Sequence, residues 1–269
     1  MSGRPLRRRA TPARSPAPPR ASAPPRDPGS PRSPLIYGRN AVLEAARAGR
    51  VRRALLARGA EPDARLEELR RLTRVEEVAP DRIDALAPGV HQGVVAELMP
   101  RAYWTLRQLL ELGPTLLVAL DGVEDPQNLG AILRSAEAAA VDGVILPEHR
   151  SAPLSAAAVK ASSGASEYLR LCRVPGLPST ISELGRAGIW CAALDPRGEL
   201  PPWRFDLRQP VCLVVGGEGR GVHRLVRERC DVRLRLPMQG RVPSLNAAAA
   251  VAVALYEVVR QRTVPSERR

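Results

Sequence analysis

The stretch TLLVALDGVEDPQNLGAILRSAEAAA, Thr115 to Ala140, decides the fold. It opens on an apolar strand, TLLVAL, and then turns. Asp125 followed by Pro126 supplies an N-cap residue and the proline favoured at the first helical position, ahead of a helical pattern over Leu129 to Ala140. Asn128 falls in the first turn, Arg134 about two turns in, and Glu137 at i+3 from Arg134. A capped surface helix with an Arg134–Glu137 ion pair fits this pattern. So does a polar site, because α/β proteins build their sites where strands give way to helices.

Outward from this stretch the alternation continues. Strand-like runs cover Gly143 to Leu146, Leu169 to Val174, Gly188 to Ala193, Val211 to Val215 and Val232 to Leu236. Helical patterns fall between and after them, at Ser155 to Ser162, Thr180 to Ala187, Val222 to Arg229 and Ala247 to Arg260. Strands alternating with helices predict a mostly parallel sheet covered on both faces.

Two further junctions carry polar residues among small ones. In LVVGGEGRGV, Leu213 to Val222, the glycines at 216, 217, 219 and 221 miss the dinucleotide spacing G-x-G-x-x-G, so a phosphate site is weakly supported. They suit a tight turn or a close approach of backbone to ligand, and Glu218 lies among them. In LPMQGRVPSLNAAAAVAVALYE, Leu236 to Glu257, Ser244 is placed to cap a helix and Asn246 directly precedes it. Ala248, Ala249 and Ala252 let that helix pack closely.

Leu35 to about Pro100 reads as a separate small α/β unit. Asn40 to Ala48 and Asp63 to Leu72 are its helices, and Arg52 to Ala57 and Gly93 to Leu98 its strands. Residues 101–113 read as a linker, partly helical around Thr105 to Leu112, before a second domain over 114–269. Residues 1–34, alternating Arg, Pro, Ser and Ala, have almost nothing to bury and read as a disordered tail.

The net charge is +13, and the first 34 residues, with eight Arg and one Asp, carry +7 of it. A pI near 11 suits a polyanionic partner. Lys160 is the sole lysine, so the arginine usage reflects base composition as well as phosphate contacts. Cys172, Cys191, Cys212 and Cys230 lie far apart with no CxxC and no His ladder, which predicts free thiols, no metal site and a reducing compartment. No apolar stretch follows the basic start, and the longest apolar run, Ala247 to Tyr256, is too short to span a bilayer. A soluble cytoplasmic protein without membrane partners is expected. His223 is the one histidine with a plausible place as a base; His91 and His149 lie outside the three segments.

In order and separation, the three segments around Asn128, Glu218 and Asn246 resemble the motifs of the SpoU (TrmH-type) RNA ribose 2′-O-methyltransferases. IYGRNAVLEAARAG (Ile36 to Gly49), HQGVVAEL (His91 to Leu98) and LSAAAVKASSGASEYLRL (Leu154 to Leu171) look like the two-domain members that modify a guanosine in large-subunit ribosomal RNA. The resemblance covers roughly residues 35 to 260.

It implies a C-terminal parallel-sheet α/β domain with a trefoil knot, an exception to the rule against knotted chains, behind a ribosomal-protein-like RNA-binding domain. It implies S-adenosylmethionine as methyl donor, held around Gly216, Leu236 and Leu245. A side chain at Gly216 would obstruct the donor, and main-chain groups at the two leucines would read its adenine. Arg134 is the residue assigned to the ribose hydroxyl. A guanidinium is a poor base near neutral pH, so stabilising a developing alkoxide or fixing the adjacent phosphate suits it better. Asn128 would hold Arg134 or the RNA backbone, Glu218 would orient Arg134 or its surroundings, and Ser244 and Asn246 would shape the donor loop and contact the target nucleotide. Arg39, Arg52 and Arg53 are candidate phosphate contacts. With only 3% aromatic residues, recognition of a structured RNA by shape is expected over base stacking. The resemblance also implies a homodimer in which the arginine serves the neighbouring protomer. Ribosomal RNA is favoured over a tRNA D-loop guanosine, with a non-catalytic ribosome-assembly factor as the other alternative.

Overall fold

The computed structural model describes residues 34–87 and 89–263; the expected tail over 1–34 lies outside them but for Pro34. The first strand, β1 (Leu35–Tyr37), leads into α1 (Arg39–Arg47), β2 (Val51–Ala57), α2 (Ala64–Leu72), β3 (Val75–Val78), α3 (Pro80–Leu86) and β4 (Val94–Leu98). These strands form a mixed four-stranded sheet in the order β1-β4-β2-β3, with β4 antiparallel to β1 and β2, and β3 parallel to β2. Asp63 caps α2 by accepting from the Leu66 amide at 2.9 Å. β1, β3 and α3 were not expected from sequence. β1 is three residues long, and VEEV in β3 puts two glutamates on an exposed edge strand, a pattern that hides a strand.

After α4 (Leu106–Leu110) come β5 (Leu116–Asp121), α5 (Pro126–Ala138), β6 (Gly143–Pro147), α6 (Ala156–Ala161), β7 (Leu171–Val174), α7 (Leu177–Arg186), β8 (Trp190–Leu194), β9 (Val211–Gly216), α8 (Arg224–Arg227), β10 (Val232–Leu234) and α9 (Ala247–Thr263). The six strands form one sheet in the order β10-β8-β9-β5-β6-β7, every pair parallel. The expected parallel α/β architecture is therefore present. Its two faces are covered by separate buried clusters, one centred on Leu129, Ile132, Leu133, Val251 and Leu255, the other on Leu109, Ile181, Leu184 and Val226.

Several elements are shorter than expected, β7 beginning at Leu171 among them, and two are so for visible reasons. β10 stops at Leu234 because its partner β8 stops at Leu194, directly opposite, so Leu236 has no strand to join. α8 is four residues instead of eight, since the chain turns back through Arg229 N–H to Val226 O and Cys230 N–H to Arg227 O. The stretch read as a linker is tied down: Trp104 donates to Leu171 O at 2.8 Å and accepts from Arg173 N–H at 3.2 Å, extending the sheet beside β7.

Candidate active site

β5 and β9 are central neighbours, and their last residues, Asp121 and Gly216, stand in register. The first and second motifs therefore leave the sheet side by side at the carboxyl ends of adjacent parallel strands. The crossing is tight. A Cβ on Gly217 would lie 1.8 Å from Gly122 O, and one on Gly216 would lie 1.9 Å from the Gly221 carbonyl carbon. This corrects the reason for Gly216: before any ligand, the folded chain itself excludes a side chain there.

The turn after Gly217 presents Glu218, and two expected residues, one from each of the other motifs, converge on it. Asn128, buried at the start of α5, donates from Nδ2 to Glu218 Oε1 at 3.0 Å. Asn246 Nδ2 donates to the same oxygen at 2.7 Å and to Asn128 Oδ1 at 2.8 Å. One amide thus closes a triangle with a carboxylate and a second amide. The other end of Asn246 caps α9: its Oδ1 accepts from the Ala248 and Ala249 amides at 2.9 and 3.3 Å. The cap expected at Ser244 belongs to Asn246, two residues later, because the helix α9 does not begin until Ala247.

Arg134 stands apart from the triangle. On a helix six residues amount to about 600° of rotation, so Arg134 and Asn128 point about 120° apart and are offset by about 9 Å along α5. Asn128 and Glu218 therefore bond to each other, and neither holds Arg134 of the same chain. The pair with Glu137 is not formed either. Arg134 is exposed, and its Nη1 donates to Ser163 Oγ at 3.2 Å, a partner that sequence spacing could not supply.

Ser244 and Leu245 are exposed on the loop before α9, with Leu245 at 45%, and Leu236 is half-buried. Among the described residues, 236–245 form no backbone-to-backbone hydrogen bond. That loop presents main-chain donors and acceptors alongside apolar side chains, the combination an adenine edge and face require.

Asp121 is a site residue the sequence reading passed over. Its carboxylate accepts from the His223 backbone amide at 2.6 Å and lies 3.0 Å from His223 Nδ1. His223 is thereby held at the start of α8 over Gly122, where a Cβ would meet its Cε1 at 3.3 Å. His223, the histidine with a plausible place as a base, is thus the partner of a buried carboxylate.

The three arginines expected to meet RNA are all engaged. Arg39 donates from Nε to Gln92 O at 3.2 Å and pairs with Asp63 at 3.0 Å, with its side chain only 16% exposed. It joins α1, the cap of α2 and the loop before β4, a structural task. Arg53 donates to Glu76 at 3.0 Å and Arg52 lies 3.5 Å from Glu97, both on the surface. Surface pairs contribute roughly 0–1 kcal/mol, so they do not bar a phosphate. Among the described residues no group of His, Cys, Asp and Glu could hold a metal.

Comparison with known proteins agrees with this geometry. The model of the SpoU rRNA Methylase family matches residues 115–256, and that of the RNA 2′-O ribose methyltransferase substrate-binding domain matches residues 35–104. A 23S rRNA (guanosine-2′-O-)-methyltransferase, RlmB, of Pseudomonas aeruginosa is 43% identical over 240 residues, covering 85% of this chain and 96% of that protein. A putative TrmH family tRNA/rRNA methyltransferase of Staphylococcus saprophyticus is 37% identical over the same share of each. Among solved structures, the SpoU methyltransferase AviRb of Streptomyces viridochromogenes with AdoMet superposes with a TM-score of 0.74 at 31% identity, covering 87% of this chain and 91% of that one. An AdoMet-bound rRNA methyltransferase of Sinorhizobium meliloti gives 0.70 at 26% identity, covering 87% and 89%. Three motifs brought together on one carboxylate, in a chain matched over both its sheets, place this protein in the SpoU RNA methylase family.

Proposed function

We propose that this chain transfers a methyl group from S-adenosylmethionine to the ribose 2′-oxygen of a guanosine in 23S ribosomal RNA. The observation that carries the reading is the Asn128–Glu218–Asn246 triangle, which joins the three motifs at the ends of β5 and β9. The likeness to RlmB extends through the four-stranded unit, read here as the RNA-binding domain of residues 35–100, with the catalytic domain over 114–269.

S-adenosylmethionine, when bound, supplies an electrophilic methyl carbon on a sulfonium. The residues present fit it: Leu236 and Leu245 border a loop whose main-chain groups form no backbone hydrogen bonds among the described residues. The triangle fixes that loop to α5, so the geometry is set before RNA arrives. Ser244 and Asn246 shape the loop. Arg134, a permanent cation, steadies the ribose oxygen as its proton leaves to solvent. Arg52 and Arg53 meet phosphates.

Arg134 makes no hydrogen bond to the triangle of its own chain, as expected if it serves the donor site of a second copy. Val253 and Tyr256 on α9, 49% and 55% exposed, with Leu245 at its start, offer an apolar surface for that homodimer. The tight crossing at Gly216 and Gly217 also suits a knotted chain. The four described cysteines are free and no described helix is long and apolar enough to cross a membrane, in keeping with a cytoplasmic enzyme.

The test is transfer of labelled methyl to unmodified 23S ribosomal RNA and, in parallel, to total tRNA, with the modified nucleotide mapped. Label at one ribose 2′-oxygen of a 23S guanosine supports the reading, and Arg134→Ala should lose it while still binding the donor. Label confined to tRNA overturns the substrate, absence of donor binding overturns the enzyme, and full turnover by Arg134→Ala removes the arginine from the chemistry.

A further inference from the structure

The one hydrogen-bond partner of the Arg134 side chain among the described residues, Ser163, belongs to a turn with an unusual backbone. Ser163 has φ +53°, a left-handed conformation that residues with a Cβ rarely adopt, and Gly164 follows at φ +87°. Such a conformation persists only where the surroundings impose it. Here the surroundings are the four-stranded unit. A Cβ on Gly164 would lie 2.4 Å from Glu44 Cβ and 2.6 Å from Glu44 Cγ, so the turn is pressed against α1.

The same seam is fastened on both sides of the turn. Lys160 donates from Nζ to Val90 O at 2.6 Å and sits over the Tyr37 ring. The Tyr168 hydroxyl bonds to the Glu44 carboxylate. Glu167, its side chain fully buried, accepts from Arg50 at 2.8 Å. On the opposite side α6 lies against α5 with no room between them: a Cβ on Gly130 would meet Ala161 Cβ at 2.4 Å and Ala158 O at 2.6 Å. The α6 segment is therefore clamped between α1 of the four-stranded unit and the helix that carries Arg134.

We infer that Ser163 is a positioning residue for Arg134, and that the seating of α1 on Gly164 sets where the hydroxyl, and so the guanidinium, stands. The RNA-binding unit would then do more than capture substrate: its docking places the cation that acts on the ribose. The inference rests on the proposed role of Arg134 in methyl transfer.

The experiment uses the full-length protein on unmodified 23S ribosomal RNA. Ser163→Gly deletes the hydroxyl in a residue at ease with positive φ, so the fold is kept. The expected result is a fall in kcat of about tenfold, the weight of one hydrogen bond to a charged group, with KM for RNA and donor affinity within about twofold of the parent. Ser163→Asn, which tolerates the left-handed region and restores an acceptor, should recover part of the loss. Glu44→Ala should lower kcat in the parent and add little in Ser163→Gly, because both act on one placement. Unchanged kcat in Ser163→Gly, while Arg134→Ala abolishes turnover, overturns the inference. Equal losses in kcat, donor binding and thermal stability also overturn it, since they mark a merely structural serine. Additive effects of Glu44→Ala and Ser163→Gly overturn the coupling to α1. Normal turnover by Arg134→Ala would instead be a failure of the underlying reading.

Discussion

Asn246 bears on both stability and chemistry, and a three-variant series separates its two ends. Its Oδ1 caps α9, and its Nδ2 donates to Asn128 and Glu218. Loss of a cap costs about 1 kcal/mol. Loss of the donor to Asn128, which is buried, costs about 1 kcal/mol, and loss of the donor to exposed Glu218, which water can replace, about 0.5 kcal/mol. Asn246→Ala should therefore cost about 2.5 kcal/mol and Asn246→Ser, which keeps a capping oxygen, about 1.5 kcal/mol. At about 2–4 °C per kcal/mol these are falls in Tm of about 5–10 °C and 3–6 °C. Asn246→Asp keeps the cap but sets a carboxylate oxygen where 2.7 Å now separates Nδ2 from Glu218 Oε1. Two unit charges about 3.5 Å apart repel by roughly 1–5 kcal/mol, near the lower end at an exposed site. That variant should be less stable than Asn246→Ser at pH 7 and recover towards about pH 5, as one carboxylate of the pair takes a proton. Thermal denaturation at the two pH values is the assay, with methyl transfer read in parallel. If Asn246→Ser is no more stable than Asn246→Ala, the capping argument is wrong. If Asn246→Asp matches the parent at pH 7, the amide does not face Glu218 as described.

Further outcomes follow from burial. Glu167 has a fully buried side chain that accepts from Arg50, while Arg101 lies 2.8 Å from the same oxygen without hydrogen-bond geometry. Burial is the largest influence on Arg101 and lowers its pKa, opposed chiefly by Glu167. Glu167→Ala should thus cost about 3–5 kcal/mol, measurable by urea denaturation, because it strands buried guanidinium charge; a loss below about 1 kcal/mol would show the cluster to be solvated. Burial also pushes the Cys172 thiol up to about 11 and the Cys230 thiol up to about 12. At pH 8 both should react with a maleimide far more slowly than in the denatured chain, since roughly one thiol in a thousand or fewer is ionised. The sign of the linkage follows: the folded protein binds these protons more tightly, so their contribution is complete below the ordinary 9.0 and is lost as pH rises to about 11–12. The urea midpoint should decline across that window, and a flat midpoint would contradict the burial of both thiols.

The sequence by itself determined the parallel α/β architecture of the second domain and pointed to the three residues of the triangle. Apolar runs such as Val211 to Val215, too continuous for a half-exposed sheet, and helices with one apolar side between them leave a parallel sheet as the arrangement that buries both. Asn128, Glu218 and Asn246 were legible because each stands at a strand-to-helix junction among small residues. Tertiary structure decided their pairing. Asn128 and Glu218 are 90 positions apart and meet because β5 and β9 are neighbours in the sheet, and Asn246, 118 positions from Asn128, joins them because α9 packs against α5, adjacencies that no local spacing encodes. The same holds for Arg134: its i+3 neighbour Glu137 was the visible partner, while Ser163, 29 positions away, comes within reach only because Gly130 lets α6 lie against α5. Gly216 shows the limit from the other side. Its smallness was readable, but its cause, the turn that folds Gly221 back onto it, is set by the path of the loop. Local propensity and periodicity are written along the chain. Hydrogen bonds between distant motifs depend on how the helices and strands are stacked, and that is settled by packing.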